Sequence, residues 1–238
     1  MLTPNQIRRK SYFVTEAIRI IDEEGLESLS ARAVSKAAGF NPASIYTYFA
    51  GMEHLTALAC VHYTQGYLAE FSRAAGEAGT WLERYLLMEE LYLKHAFRDP
   101  ARFSKVFYPN SDEPWADSLF QEFYEMFPDQ GLLREDNPLA GFFMVSTSRM
   151  SHERGIYLLS RAAEEGSLDR DAVEYVLTVD ISNSYFILYD SKWDTEEERT
   201  AAYRRTLKFH IMSLYHYVAA PYRPMLDGKL RYYETLSL

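Results

Sequence analysis

The sequence has 238 residues, of which 47% are hydrophobic and 25% charged, a balance typical of a folded chain and not of a disordered one. With 11 Gly, 9 Pro and an aromatic share of 15%, the composition favours long helices over a turn-rich β fold. The net charge of -9 excludes a protein that coats nucleic acid through a uniformly basic surface.

The charge is unevenly distributed along the chain. Residues 1–60 hold 6 Lys and Arg against 6 Asp and Glu, whereas residues 61–238 hold 19 against 28. The acidity therefore belongs to the longer C-terminal part, and the first part is neutral overall.

The sequence predicts neither a membrane span nor an export signal. Its longest apolar stretch, residues 139–145, is far shorter than the roughly 20 residues needed to cross a bilayer. Arg8, Arg9 and Lys10 are followed by polar and acidic residues and not by the apolar core of a signal peptide. The single cysteine, Cys60, has no partner for an intramolecular disulfide. We therefore expect a cytoplasmic protein.

A first and a second helix are predicted in the first forty residues. Apolar residues at helical spacing predict a first helix that Gly25 stops. Ser30 is the predicted N-cap of a second helix, which ends at Gly39. The predicted buried face of this second helix consists of Val34, Ala37 and Ala38.

A third short helix is predicted almost at once after the second. Asn41 is its N-cap, Pro42 takes the first helical position, and Ile45 and Phe49 give a buried pair. Two short helices separated by a small turn, here at Gly39, are typical of a helix-turn-helix that places its second helix in the major groove of DNA.

The side chains of this motif have the chemistry that DNA recognition requires. Short hydrogen-bonding groups can read base edges, a methyl group can contact thymine, and phenol or guanidinium groups can reach the phosphate backbone. The candidate DNA-binding residues are Arg32, Asn41, Ala43, Ser44, Tyr46, Thr47 and Tyr48.

Residues 29–49, followed by Glu53-His54-Leu55, resemble the DNA-binding domain of TetR-family transcriptional regulators. The shared features are the Ala-Gly-Phe turn, the Ile-Tyr-x-Tyr-Phe sequence of the third helix and the Glu-x-Leu sequence after it. The resemblance implies a homodimeric repressor that binds double-stranded, palindromic operator DNA. It also implies a C-terminal domain that binds a small effector and thereby releases the operator.

One position departs from the pattern of that family. The family usually has Lys at the start of the fourth helix, where this sequence has Met52, so we expect a phosphate contact to be missing there. The basic run Arg8-Arg9-Lys10 is the candidate that compensates for it.

The rest of the chain is predicted to be helical. We expect helices at about 52–75, 81–97, 101–107, 115–126, 138–164, 169–191 and 196–219, and an irregular tail from Pro221. The predicted fold is all-α, with a helix-turn-helix domain at 1–51, a larger helical effector-binding and dimerisation domain at 52–220, and a C-terminal tail at 221–238.

The last two long helices are apolar nearly all round, so each must be buried on several sides. Pairing with the same helices of a second copy in a four-helix bundle satisfies this, and an ordinary monomer core is the alternative. The candidate dimer-interface residues are Ile181, Tyr185, Leu188, Leu207, Ile211, Leu214 and Tyr215.

The remaining helices are dense in aromatic residues and methionine. Such side chains suit an apolar cavity with a few polar groups, which favours an apolar or aromatic effector, and they also suit a plain core. The candidate ligand-binding residues are Tyr92, His95, Phe107, Trp115, Phe123, Phe143, Met144 and Met150.

The sequence contains no catalytic or metal-binding motif. Its histidines lack the spacing of helical metal sites, and neither a Gly-x-Ser-x-Gly sequence nor a Gly-rich phosphate loop occurs. We therefore expect no enzyme, no cofactor and no metal. The strongest alternative function is a helical small-molecule-binding protein without DNA-binding activity, and the next is an enzyme with an atypical site.

Overall fold

The computed structural model describes residues 3–108, 113–130, 150–190 and 193–238. These residues form α-helices, short 3-10 turns and one isolated antiparallel bridge, between Leu168 and Val218, without any strand. The predicted all-α fold is confirmed. The described helices are α1 (Pro4–Glu24), α2 (Ala31–Ala38), α3 (Ile45–Tyr48), α4 (Met52–Ala75), α5 (Trp81–Arg98), α6 (Pro100–Phe107), α7 (Leu119–Met126), α8 (Met150–Glu164), α9 (Val173–Asp190), α10 (Glu196–Leu214) and α11 (Arg223–Tyr233).

The C-terminal tail is helical, which corrects the prediction of an irregular segment. Pro224 lies in the first turn of α11, where proline costs no helical hydrogen bond. Leu226 and Tyr233 lie two turns apart and are both buried, and α11 packs against α10. Pro224 and Gly228 favour an irregular segment, but the two buried side chains stabilise it as a helix.

The described chain divides into two compact units. Unit 1 comprises Met1–Gly66 and Ala101–Met150, and unit 2 comprises Tyr67–Pro100 and Ser151–Leu238. One division between the units lies within α4. The predicted domain boundary between residues 51 and 52 stays a prediction.

Unit 1 includes α6 as well as the N-terminal helices because polar contacts join them. The Tyr63 hydroxyl on α4 donates a hydrogen bond to Asp22 of α1 at 2.7 Å. On the other side, the guanidinium of Arg102 on α6 lies 4.1 Å from the centre of the Tyr63 ring. These contacts tie α1, α4 and α6 together within one unit.

Unit 2 has a polar cluster at the centre of its helical core, where α5, α9 and α10 pack together. Tyr85 and Ser213 each donate a hydrogen bond of 2.7 Å to the buried carboxylate of Asp180. His210 Nδ1 lies 3.4 Å from a Glu89 carboxyl oxygen. Burial, with the nearby charge of Asp180, raises the pKa of Glu89 to about 8. Glu89 is therefore a neutral acid at pH 7.

We expect Glu89→Gln to stabilise the protein at pH 8 far more than at pH 5. The folded protein keeps the Glu89 proton up to about pH 8, whereas an unfolded chain releases it above its ordinary value of 4.5. Folding therefore binds a proton between these values, and stability falls by up to about 4 kcal/mol as pH rises through that window. Urea unfolding at both pH values measures this difference. Glu77→Gln removes an exposed carboxylate of the same unit and is the control; equal pH dependence of Glu89→Gln and wild type would contradict the assignment.

Among the residues that the structure describes, no helix has the combination of length and apolar composition that a bilayer crossing requires.

Candidate nucleic-acid interface

An aromatic cluster on α1 supports α2, the turn and α3. The Phe13 side chain is fully buried, and its ring centroid lies 5.0 Å from that of Phe40 in the turn. The Tyr48 and Phe49 rings, at the end of α3, lie 5.9 and 6.0 Å from Phe13. Phe13 therefore holds both the turn and the end of α3, which fixes the second helical segment of the motif in place.

The turn between the two helices has the geometry that a helix-turn-helix needs. Gly39 takes a left-handed conformation, with φ of 76° and ψ of 28°, which most other residues adopt only with strain. The Phe40 N–H donates to the Ser35 carbonyl at 2.8 Å and closes the end of α2. Asn41 then begins the next segment, because its side-chain oxygen accepts from the Ala43 N–H at 2.9 Å.

The second segment is a 3-10 turn, Pro42–Ser44, that continues into α3. Ile45 is its buried anchor, as predicted. Tyr46 and Thr47 are exposed, and 62% of the Tyr46 surface is accessible. Of the other candidate DNA-binding residues, Arg32, Asn41 and Ala43 are exposed, and Ser44 and Tyr48 are half-buried. The outward face of the motif therefore carries most of the candidates.

The buried face of α2 differs from the prediction at two positions. Val34 is buried as expected, but Ala37 is exposed, Ala38 is only half-buried, and Ser35 is fully buried instead. The Ser35 hydroxyl donates to the Ala31 carbonyl at 2.6 Å, so it needs no partner outside its own helix. A small polar residue whose hydroxyl is hydrogen-bonded within its own helix can occupy a core position.

Lys36 is a basic side chain of this surface that the sequence reasoning missed. It is exposed and lies four residues after Arg32, and therefore on the same side of α2. Both residues line an open cleft between α1 and α2 that also includes the N-cap Ser30. The four-residue spacing of Arg32 and Lys36 is the sequence feature from which Lys36 could have been predicted.

Lys10 does not belong to this surface, which corrects the role considered for the basic run. Its side chain is buried and pairs with the Glu122 carboxylate of α7. Burial lowers the pKa of Lys10 to about 8. Arg8 and Arg9 remain exposed, so these two are the cations of the run that a phosphate can reach.

The candidate ligand-binding residues are divided between the two units. Phe107, Trp115 and Phe123 are buried in unit 1, and Tyr92 is buried in unit 2. His95 Nε2 in unit 2 lies 3.0 Å from the Glu70 carboxylate. Phe143, Met144 and the side chain of Met150 lie outside the described residues. The part of the chain that is described contains no group of three or more His, Cys, Asp or Glu side chains suited to a metal ion.

The candidate dimer residues do not share one face. Leu207, Ile211 and Leu214 are buried in the core of unit 2 itself, so a partner cannot reach them. Ile181 and Tyr215 are half-buried, and the Leu188 side chain lies outside the described residues.

The outer faces of α9 and α10 carry a different set of large apolar side chains. We define the α9–α10 stripe as the exposed residues Tyr175, Tyr185, Phe186, Phe209 and Met212, which have 52, 51, 61, 40 and 65% of their surface accessible. Tyr185 is the candidate that belongs to it. A helix that is apolar all round buries one face in the core of its own chain. The residues predicted from the sequence spacing on α10 belong to that buried face and not to the exposed one.

Residues 13–58, which run from α1 into α4, match the family model of bacterial regulatory proteins, tetR family. No curated protein matches the sequence. Among solved structures, that of RolR without ligand is 10% identical and has a TM-score of 0.54, over 92% of this chain and 96% of that one.

Two other solved structures also align with most of this chain. The ketosteroid transcriptional regulator KstR2 of Mycobacterium tuberculosis is 14% identical with a TM-score of 0.49, over 89% of this chain and 95% of that one. A gamma-butyrolactone receptor is 12% identical with a TM-score of 0.47, over 97% of this chain and 98% of that one. The likeness to RolR shows a common fold, and the family model covers the helix-turn-helix. Residues 13–58, which contain the helix-turn-helix, are therefore similar to the N-terminal domain of bacterial regulatory proteins of the tetR family.

Proposed function

We propose that this protein is a ligand-responsive repressor that binds a palindromic operator as a homodimer and is released by a small apolar or aromatic effector. The observation that carries the proposal is the outward face of residues 42–48, which we name the recognition helix. Its inner side chain, Ile45, is fully buried, whereas Tyr46 and Thr47 face solvent. The large exposed side chain of Tyr46, on a helix held in place by the buried Ile45, is suited to contact a partner.

The recognition helix, its N-cap Asn41 and the exposed side of α2 together have groups for both kinds of DNA contact. Thr47 and the amide nitrogen of Asn41 can hydrogen-bond to base edges, and the Ala43 methyl group can contact thymine. Tyr46, Arg32 and Lys36 can donate to phosphate oxygens, which position the protein without reading sequence. In a dimer, two such helices engage successive major grooves about 34 Å apart.

The α9–α10 stripe supports the homodimer. Large apolar side chains that are exposed on adjacent helices indicate an association surface, because exposing apolar surface to water costs free energy. α9 and α10 pack against each other, so a second copy that presents the same stripe closes a four-helix arrangement about a two-fold axis.

An effector acts by favouring one of two states of the protein. We place it within unit 1, with the buried aromatic residues Phe107, Trp115 and Phe123 as candidate contacts. It can weaken DNA binding only by the difference in its affinity for the free and the DNA-bound state.

One observation favours a second candidate function, a helical ligand-binding protein without DNA-binding activity. The start of α4 has Met52 in place of the usual Lys, and Lys10 is buried against Glu122. Two cations are therefore missing from the surface expected to face phosphates, which lowers the affinity for any DNA sequence.

We expect replacement of both Tyr46 and Thr47 by alanine to reduce affinity for the operator by at least about tenfold, because each lost contact costs about 1 kcal/mol or more. The operator used is the sequence that the wild-type protein enriches from random DNA, and fluorescence anisotropy measures the affinity. Tyr48→Ala and Ser44→Ala are less clear tests, because both side chains are half-buried and Tyr48 packs near Phe13.

The control variant is Tyr232→Ala, which removes an exposed aromatic side chain from unit 2. It is expected to bind the operator as the wild type does. Unchanged affinity of the Tyr46 and Thr47 double variant would refute the role of the recognition helix.

A further inference from the structure

A carboxylate from outside the matched domain lies against the DNA-binding helices. Glu122 of α7 contacts α1 through an ion pair with Lys10. It contacts the first turn of α4 through His54, whose Nε2 lies 2.7 Å from the other Glu122 oxygen. The Lys10 and His54 side chains are only 4% and 7% exposed. All of these residues belong to unit 1.

His54 continues the contact to the backbone that follows the recognition helix. Its Nδ1 accepts a hydrogen bond from the Ala50 N–H at 3.2 Å, so the ring proton is on Nε2 and is donated to Glu122. Burial, together with the positive charge of Lys10, lowers the pKa of His54 to about 3. The ring is therefore neutral at pH 7 and links Glu122 to Ala50 through two hydrogen bonds.

The same groups enclose Phe49, the residue that caps α3. The Lys10 ammonium lies 4.9 Å from the centre of the Phe49 ring, and the His54 and Phe49 rings meet edge to face with their centroids 5.7 Å apart. Trp115 stacks on the His54 ring with a centroid separation of 4.9 Å. The end of the recognition helix is thus fixed from below by a charged pair and two rings.

Burial of the Lys10 charge costs free energy, which indicates that its ion pair with Glu122 has a specific role. Lys10 occupies the position of an apolar residue in α1, three and four residues before the buried Phe13 and Val14. An aliphatic side chain at such a position is usually at least as stabilising as a buried ion pair, whereas a pair with fixed partners specifies one geometry.

We infer that Glu122 is a positioning residue for the recognition helix, which it holds through His54 and Lys10. Glu122 lies outside residues 13–58, so the DNA-binding surface depends on a side chain of α7 that is absent from the family match. The consequence for DNA rests on the proposed function, whereas the positioning itself does not.

The test compares full-length Glu122→Gln with wild type by hydrogen exchange and by DNA binding. The neutral amide keeps the size of the side chain but removes the charge that holds Lys10 and His54. We expect exchange in residues 45–55 to become about tenfold faster, with exchange in α1 unchanged. Affinity for the palindrome that the wild type enriches from random DNA should fall about tenfold, and affinity for a random-sequence duplex should stay within about twofold.

Two further variants keep the test decisive. Asp129→Asn removes an exposed carboxylate beyond α7 and should behave as the wild type. His54→Gln leaves the Lys10–Glu122 pair in place but removes the link to Ala50; it should reproduce the faster exchange in residues 45–55, also where Glu122→Gln does not fold.

Unchanged exchange of residues 45–55 in both variants would overturn the inference. An equal loss of affinity for the palindrome and for the random duplex would also overturn it, because that pattern indicates unfolding and not displacement. If the wild-type protein enriches no palindrome, the proposed function fails, and the exchange comparison alone then decides the positioning role.

Discussion

Met212→Glu is expected to convert the proposed dimer to a monomer and to reduce affinity for the proposed operator by at least about a hundredfold. Met212 is 65% exposed in the single chain and lies on the α9–α10 stripe. A carboxylate there must be desolvated when two copies associate, which disfavours the dimer. A monomer reaches only one half-site and loses the effective concentration that linkage gives to the second.

Sedimentation equilibrium and anisotropy titration measure the two effects. Tyr232→Glu introduces the same charge at an exposed aromatic position outside the stripe and should leave both the dimer and the affinity unchanged. An intact Met212→Glu dimer would show that copies of this chain do not associate through this surface.

Phe13→Ala is expected to destabilise unit 1 by about 3 to 5 kcal/mol and to abolish specific DNA binding, because it leaves a cavity beneath both the turn and α3. Hydrogen exchange resolves the loss by segment: protection should fall in α1 to α3 and persist in unit 2. The neighbouring Tyr12 is 50% exposed, so Tyr12→Ala should change stability by less than about 0.5 kcal/mol. Equal stability of these two variants would contradict the role of Phe13 as the hub of the motif.

The helix-turn-helix was predictable because its signals are local. Ser30 caps α2, Gly39 ends it with a left-handed residue, and Asn41 caps the next segment, all as the sequence indicates. Each of these contacts joins residues only a few positions apart, so the identity of the residue and its neighbours suffices to predict it.

The contacts between distant segments were not predictable in this way. Lys10 was grouped with Arg8 and Arg9 as a cation for phosphate, but its partner Glu122 lies more than a hundred residues away in the sequence. The signal was present in α1, where Lys10 continues the apolar stripe of Phe13, Val14 and Ala17. A charged residue in such a stripe indicates a buried partner but does not identify it.

The helices of unit 2 show a related limit of periodicity. Leu207, Ile211 and Leu214 form a regular stripe in the sequence, and Phe209 and Met212 add apolar side chains on another side of α10. Spacing alone gives two apolar faces and cannot tell which one packs against α5 and α9 of the same chain. Burial in the structure resolves this and leaves Phe209 and Met212 exposed.

In the proposed function, two copies of the recognition helix read a symmetric DNA sequence. Selection of bound fragments from a random DNA pool by the full-length protein tests it most directly. We expect one enriched inverted repeat, with half-site centres separated by about 10 base pairs or a multiple of that spacing, and loss of the enrichment when Tyr46 and Thr47 are both alanine. Recovery of no symmetric sequence, or of the same sequence by the double variant, would contradict it.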